Sequence, residues 1–261
     1  FFYALSTGRT LRILASGLEI GSSLQHDQKV LVNTVPSVVE HLVATDTDWS
    51  SVVSLNMAGE PIPPSLIRQL DGKGIRIRNL YGPSEDTTYS SCYRFWPDSS
   101  EVLIGKPIDY TSFLILDENK RLLRIGVWGE IYFSGAGLAR GYLNRPELTH
   151  EKFVQIPELT SGRAYQTGDI GRWRKDGNIE FQGRKDHQVK LRGYRRELGE
   201  IEAVMERYKE VKKAIAVVVE KGGEKILVLY YSGASYETNE LKEYLSGEMP
   251  AYMLPSYLMY L

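Results

Sequence analysis

The chain has one cysteine, Cys92, among 261 residues. A lone thiol cannot close an internal disulfide and is too little for a thiolate zinc or iron–sulfur centre, so a reducing, cytoplasmic setting is expected. Neither charge is in excess: 32 basic residues face 33 acidic ones, for a formal net charge of −1. Sequence-independent nucleic-acid binding needs a large basic surplus, so no nucleic-acid partner is expected. No apolar run approaches the ~20 residues of a membrane helix, so no membrane partner is expected either. The chain starts at Phe1 with no basic-then-apolar leader, and reads as part of something longer rather than a secreted precursor. The phosphate-loop pattern GxxxxGK(S/T) and the nucleophile elbow GxSxG are both missing. The four histidines, His26, His41, His150 and His187, lack metal-ligand spacing. What remains is an ordinary globular mix, 42% apolar and 25% charged.

Three textures follow one another. Up to about residue 100, short β-rich runs (Val30–Val32, Ser51–Leu55, Ile75–Asn79) alternate with helix starts at Pro36 and at Pro63-Pro64-Ser65, the latter stopped by Gly72-Lys73-Gly74. That spacing predicts a mostly parallel sheet covered by helices. Beyond Glu101, strands at Phe113–Leu116, Gly129–Phe133, Gly171–Arg174 and Asn178–Gln182 are bounded by turn signals at Asp117-Glu118-Asn119 and Asp176-Gly177-Asn178. They predict a small antiparallel β-domain or barrel. Near the C-terminus, Leu198, Ile201, Val204, Met205 and Tyr208 share a helical face. Strands Ala214–Val219 and Ile226–Tyr231 flank Gly222-Gly223, and a helix through Leu241, Tyr244 and Leu245 should end at Gly247 and Pro250. The expected class is α/β, then a β-barrel-like subdomain, then a small α+β domain. The boundary is expected near Gly183–Asp186.

Four segments carry candidate chemistry. Asn79-Leu80-Tyr81-Gly82-Pro83-Ser84-Glu85 follows a strand, and ligands bind at strand ends of open α/β sheets. Tyr81 offers a flat face, Ser84 a hydroxyl, and Glu85 a hard oxygen for Mg²⁺; a plain turn with an exposed acid is the alternative. Gly135-Ala136-Gly137-Leu138-Ala139-Arg140-Gly141 also follows a strand, but its GxGxxxG spacing and β-rich surroundings disfavour a dinucleotide loop. Asp169 in Tyr165-Gln166-Thr167-Gly168-Asp169 follows a glycine turn and could accept two hydrogen bonds from a ribose diol, or could simply be solvated. Gly183–Arg196 is rich in Lys and Arg. It reads as a nucleic-acid patch, as a mobile phosphate-pairing segment, or as the solvated face of a hairpin in which Val189 and Leu191 alternate with Lys190 and Arg192.

Taken in order, these stretches resemble the adenylate-forming superfamily, most closely the adenylation domains of nonribosomal peptide synthetases. The resemblance is carried by NLYGPSE (79–85), GEIYFSGAGLARGYL (129–143), YQTGDI (165–170), GRKDHQVKLRGYRRELGEIE (183–202) and MPAYMLP (249–255), with NTVPS (33–37) and NMAGEPI (56–62) before them. It implies that residues 1–184 are the C-terminal part of a large AMP-binding domain and that 185–261 are a small domain cut short. The phosphate loop and an amino-group-binding aspartate would precede the chain, and a catalytic lysine would follow it. The 261 residues alone are therefore expected to have little or no activity.

Residue roles follow from the resemblance alone. Asn79 and Tyr81 would contact adenine, beside Leu80, Gly82 and Phe181, over a floor formed by Ala58-Gly59-Glu60. Ser84, where the family usually has threonine, would reach the α-phosphate, and Glu85 would hold Mg²⁺. Asp169 would bind the ribose hydroxyls, with Arg184 near ribose and phosphate. Asp186 would be the hinge between the domains and Gly193 would lie on a loop facing the site after rotation. Arg196 replaces a usual aliphatic residue. Asn33, Asn56, Ala58, Leu80, Thr88 and Tyr89 would line the amino-acid pocket; none is charged, which implies a small neutral substrate, alanine first. The implied cofactors are ATP/AMP, Mg²⁺ and the phosphopantetheine of a partner carrier domain, with a condensation domain in the parent chain. An acyl- or aryl-CoA ligase, a D-alanine–carrier protein ligase and a non-catalytic nucleotide-binding module are the competing readings.

Overall fold

The computed structural model describes residues 2–97, 99, 101–160, 162–185, 188–191, 194–221 and 224–261. The chain divides into two compact units, Phe1–Gln182 and Gly183–Leu261. Among the described residues no helix is long and apolar enough to cross a bilayer.

In the first unit, short helices α1 (Phe2–Ser6) and α2 (Ile20–Leu24) precede β1 (Val30–Thr34), α3 (Pro36–Ala44), β2 (Val52–Ala58), α4 (Pro64–Leu70) and β3 (Arg76–Tyr81). Proline opens both α3 and α4, where its missing N–H costs nothing and its fixed φ suits the first turn. Strands β1, β2 and β3 are parallel, as the alternation of strand and helix predicts. Strands β4 (Ser91–Arg94) and β5 (Lys106–Pro107) add on antiparallel, so the first sheet continues past the change of texture near residue 101. One face is dry. Val32, Leu55, Met57 and Ile77 pack against Val39 and Leu42 of α3 and Leu66, Ile67 and Leu70 of α4. The alternate residues point to the other face, which carries polar groups.

The second sheet consists of β6 (Thr111–Leu116), β7 (Gly129–Gly135), β8 (Phe153–Gln155), β9 (Arg163–Trp173) and β10 (Ile179–Arg184), with helix α5 (Pro146–Lys152) before β8. Its path is β10-β9-β7-β6, with β8 beside β9, and the β6–β7, β7–β9 and β8–β9 ladders are antiparallel. The strand expected at Gly171–Arg174 is only the tail of β9. Both expected turns form: Asp117 Oδ1 accepts from the N–H groups of Asn119 and Arg121, and Asp176 Oδ1 from that of Asn178. Phe113, Ile115, Ile131, Phe133, Phe153, Tyr165 and Ile179 form the core of this sheet, and Tyr81 at the end of β3 is buried in the same cluster. Tyr81 thus sits where the two sheets of the first unit share apolar surface.

In the second unit, β11 (Gln188–Leu191) and β12 (Tyr194–Glu197) pair antiparallel. The described part of the basic segment is thus a two-stranded ladder, with Leu191 buried and Val189 packed on the unit's core. Then come α6 (Leu198–Glu206), β13 (Val211–Lys221), β14 (Glu224–Gly233), α7 (Thr238–Glu248) and β15 (Tyr257–Tyr260). Strands β13 and β14 are antiparallel, and β15 joins β14 in parallel. The predicted face of α6 packs with Leu227, Leu229, Leu241 and Leu245. Helix α7 carries Gly247 inside its last turn, one residue beyond the expected stop. The turn expected at Gly222-Gly223 lies outside the described residues, as do Asp186, His187, Arg192 and Gly193.

Candidate active site

Strand β3 ends at Tyr81 and turns at Gly82-Pro83, bringing the Ser90 N–H to the Tyr81 carbonyl at 2.8 Å. A Cβ on Gly82 would lie 2.6 Å from the Ser90 nitrogen, so backbone approach requires glycine there. The Tyr81 hydroxyl donates to Asp169 Oδ2, a residue 88 positions away, and both side chains are buried. The rings of Phe113, Phe133 and Phe181 surround that of Tyr81 at 6.4, 6.0 and 5.9 Å between centroids.

Asp169 reaches this place through a bulge rather than through the expected turn. Glu130 pairs with Ile170 and Tyr132 with Gln166, so Thr167, Gly168 and Asp169 together oppose Ile131. Such an excess on one strand re-aims the side chains it carries. Gly168 takes φ +75°, which glycine adopts without a Cβ penalty. Thr167 Oγ1 donates to the Ile131 carbonyl at 2.7 Å and accepts from the Asp169 N–H at 2.9 Å. Glu130 Oε1 accepts from the Gly168 N–H at 3.2 Å and from Gln166 Nε2 at 3.0 Å. Sequence reasoning did not single out Thr167 or Glu130, whose roles depend on a strand neighbour.

Ser84–Asp86 forms a single 3₁₀ turn with Ser84 exposed and Glu85 buried. Glu85 Oε1 accepts from the Tyr142 hydroxyl at 2.6 Å, and that hydroxyl lies 3.4 Å from the hydroxyl of Tyr165. Burial first, and the bond to Glu85 second, push the Tyr142 phenol well above its ordinary pKa. The glycine loop follows a strand of an antiparallel sheet rather than opening a βαβ helix, which argues against a dinucleotide role. It walls the turn instead: the Ala139 N–H donates to the Glu85 carbonyl at 2.8 Å, and Thr87 Oγ1 donates to the Gly137 carbonyl at 2.6 Å. Asp86 is buried against Gly137 of this loop, and among the described residues neither of its oxygens, nor the Ser90 hydroxyl, has a hydrogen-bond partner. Burial raises the Asp86 pKa, partly offset by the nearby Ser90 hydroxyl.

Among the described residues no three His, Cys, Asp or Glu side chains converge as a metal cage. A single buried carboxylate is nonetheless a donor set that suits Mg²⁺ arriving with phosphate oxygens, since that ion keeps water and takes only one or two carboxylates. Glu85 fits this role.

The predicted amino-acid pocket falls largely on the polar face of the first sheet. Asn33 pairs with Asn56, Asn56 with Arg78, and Ala58 with Leu80, so four of the six residues share that face. Tyr89 joins them: its hydroxyl accepts from Asn33 Nδ2 at 2.9 Å. Thr88 is exposed in the loop beside it, with φ +81°. Arg78, missed in the sequence, donates from Nη1 to Ser54 Oγ at 2.6 Å and lies 3.5 Å from Asn56 Oδ1.

Other expected residues have different partners. Asn79 points into the dry side and donates from Nδ2 to the Leu103 carbonyl at 2.8 Å, so its amide N–H serves the fold first. Gly59 follows β2 with φ +87°. Glu60 Oε2 accepts from the Ser37 N–H at 3.0 Å, capping α3. Arg184 ends β10 and belongs to the second unit. Arg196, in β12, is buried.

These features agree with the comparisons to known proteins. The AMP-binding enzyme family model matches residues 2–143. The chain therefore belongs to the AMP-binding enzyme family. It is similar to a linear gramicidin synthase of Brevibacillus parabrevis, with 41% identity over all of this chain and 5% of that protein. Among solved structures, holo-PA1221, a nonribosomal peptide synthetase protein containing adenylation and carrier (PCP) domains bound to a vinylsulfonamide inhibitor, superposes with TM-score 0.81 at 29% identity. That match covers 94% of this chain and 43% of the other. The Vibrio cholerae adenylation domain AlmE, in complex with glycyl-adenosine-5'-phosphate, gives TM-score 0.81 at 26% identity, over 94% of this chain and 49% of the other. The chain thus spans a small part of the curated relative and about half of the solved chains.

Proposed function

We propose that the protein carrying this chain activates an amino acid with MgATP and passes it to the phosphopantetheine thiol of a carrier domain. One observation carries the reading: the Tyr81 hydroxyl meets the Asp169 carboxylate, joining two segments 88 positions apart. In this reading Asp169 accepts from the ribose diol. The Tyr81 ring, backed by Phe181, sets one wall of the nucleoside slot, and the Ala58–Glu60 backbone sets another. Ser84, exposed at the turn, donates to the α-phosphate. Glu85 would hold the Mg²⁺ that accompanies the nucleotide, an ion that neutralises phosphate charge when bound.

The chemistry is a displacement governed by positioning. A carboxylate oxygen of the amino acid attacks the α-phosphorus, a P–O bond forms, and the bond to pyrophosphate breaks. The carrier thiol then attacks the acyl carbon, the thioester forms, and AMP leaves. The hinge assigned to Asp186, and Gly193 beyond it, would serve the second half-reaction. Asn33, Asn56, Ala58, Leu80, Thr88 and Tyr89 are themselves uncharged, Arg78 shares their sheet face 3.5 Å from Asn56 Oδ1, and Tyr89 bonds to Asn33. A cationic side chain would meet Arg78 there and find no partner, and the reading is a small neutral amino acid, alanine first. The carrier thiol and a neighbouring condensation domain are the partners this reading requires, and cytoplasmic synthesis is its setting.

The test is amino-acid-dependent ATP–pyrophosphate exchange in the parent protein, with Asp169→Ala beside it. Exchange with alanine, lost by at least tenfold in the variant through weakened nucleotide binding, is expected. Exchange driven by a fatty or aryl acid would favour the CoA-ligase reading, and nucleotide binding without exchange would favour a non-catalytic module. Exchange unaffected by Asp169→Ala would refute the assignment of the site.

A further inference from the structure

Two segments far apart in sequence, the turn around Glu85 and the glycine loop 135–142, are tied at three points. Two involve backbone: Ala139 N–H to the Glu85 carbonyl, and Thr87 Oγ1 to the Gly137 carbonyl. These set where the turn lies. The third acts on the carboxylate itself, where the Tyr142 hydroxyl donates to Glu85 Oε1 at 2.6 Å.

Tyr142 is itself held firmly. Its N–H donates to Thr149 Oγ1 at 2.9 Å, and that hydroxyl donates to the Arg145 carbonyl at 2.8 Å. Its ring meets Phe153 edge-on at 5.7 Å, and Phe153 in turn packs on the buried ring of Tyr165 at 5.1 Å. The phenol therefore arrives at Glu85 on a rigid mount. The terminal torsion of a glutamate is broad and roughly two-fold, so a carboxylate left alone samples many orientations. A charge-assisted O–H···O⁻ bond of this length removes most of that freedom.

We propose that Tyr142 is a positioning residue that fixes the Glu85 carboxylate for the divalent cation entering with the nucleotide. This rests on the functional reading above, and concerns only how this chain prepares its own ligand. Hydrogen-bond partners of metal-binding carboxylates commonly contribute about 10–100-fold in metal affinity. Tyr142→Phe deletes the hydroxyl and keeps the ring against Phe153, so the packing argument and the carboxylate argument separate.

The experiment measures Mn²⁺ retention by electron paramagnetic resonance in the parent protein with α,β-methylene-ATP, which cannot undergo the displacement. Wild type, Glu85→Gln, Tyr142→Phe and the double variant form a cycle. Tyr142→Phe is expected to weaken Mn²⁺ retention about tenfold, and to add nothing once Glu85 is already glutamine. An equal loss in both backgrounds would mean that Tyr142 only supports the fold, and the proposal falls. Full retention in Tyr142→Phe also sinks it, while wild-type Mn²⁺ binding keeps the functional reading intact. No Mn²⁺ binding by wild type with the nucleotide would instead defeat that reading. If Tyr142→Phe does not fold, Thr149→Val loosens the Tyr142 mount and leaves every group at the carboxylate in place. It should weaken Mn²⁺ severalfold, and an unchanged affinity overturns the proposal.

Discussion

Removing the Thr167 hydroxyl tests whether the bulge that aims Asp169 is built as described. Thr167 is 3% exposed, and its one oxygen serves two backbone groups: it donates to the Ile131 carbonyl and accepts from the Asp169 N–H. Thr167→Val keeps shape and volume and leaves both groups short of a partner inside the sheet. Each such loss costs about 1–3 kcal/mol, so with partial relaxation the pair should cost about 2–4 kcal/mol. For a unit of this size that lowers the melting temperature by about 5–15 °C. Thr167→Ser keeps the hydroxyl and loses one methyl, at about 1 kcal/mol. Thermal unfolding followed by circular dichroism compares the two, and nucleotide affinity is read by calorimetry in the parent protein. Valine should fall well below serine in both measurements, because a relaxed bulge no longer points Asp169 at Tyr81. If the two variants melt together and bind alike, the hydroxyl does not hold the bulge and the account of the site's assembly is wrong.

Two further substitutions address the support of the site. Glu60→Ala removes the acceptor for the Ser37 N–H at the start of α3 and should destabilise by about 0.5–2 kcal/mol in urea unfolding, with Glu60→Gln recovering most of the loss. Asp86→Asn should stabilise at neutral pH by about 1–3 kcal/mol, since a buried carboxylate with two unpartnered oxygens is exchanged for a neutral group that can donate to the Ser90 hydroxyl; a lower urea midpoint would show that the charge has a use.

Tyr142 and Asp86 show how the loop after β7 changes meaning between sequence and structure. As letters, GAGLARG looks like a dinucleotide loop with the wrong glycine spacing. Its partner is a turn about 50 residues earlier in the chain, bound through Thr87 and Glu85. Nothing in local spacing marks that contact, because it depends on β7 and β3 ending at the same place. Arg78 escapes notice for a similar reason: an arginine inside a strand carries no signal until the register sets it beside Ser54 and Asn56.

The linear order of residues was enough to determine the strand–helix–strand alternation, because apolar periodicity, Pro36, Pro64 and the glycine stops act within a few residues of themselves. It also determined the antiparallel character after β5 and the amphipathic faces of α6 and α7. Tertiary structure alone decided that Asp169 sits on a bulge, that Asn79 donates to Leu103, and that Glu85 is held by Tyr142. Those outcomes follow from pairing across long sequence separations, where register, not composition, fixes which polar groups meet.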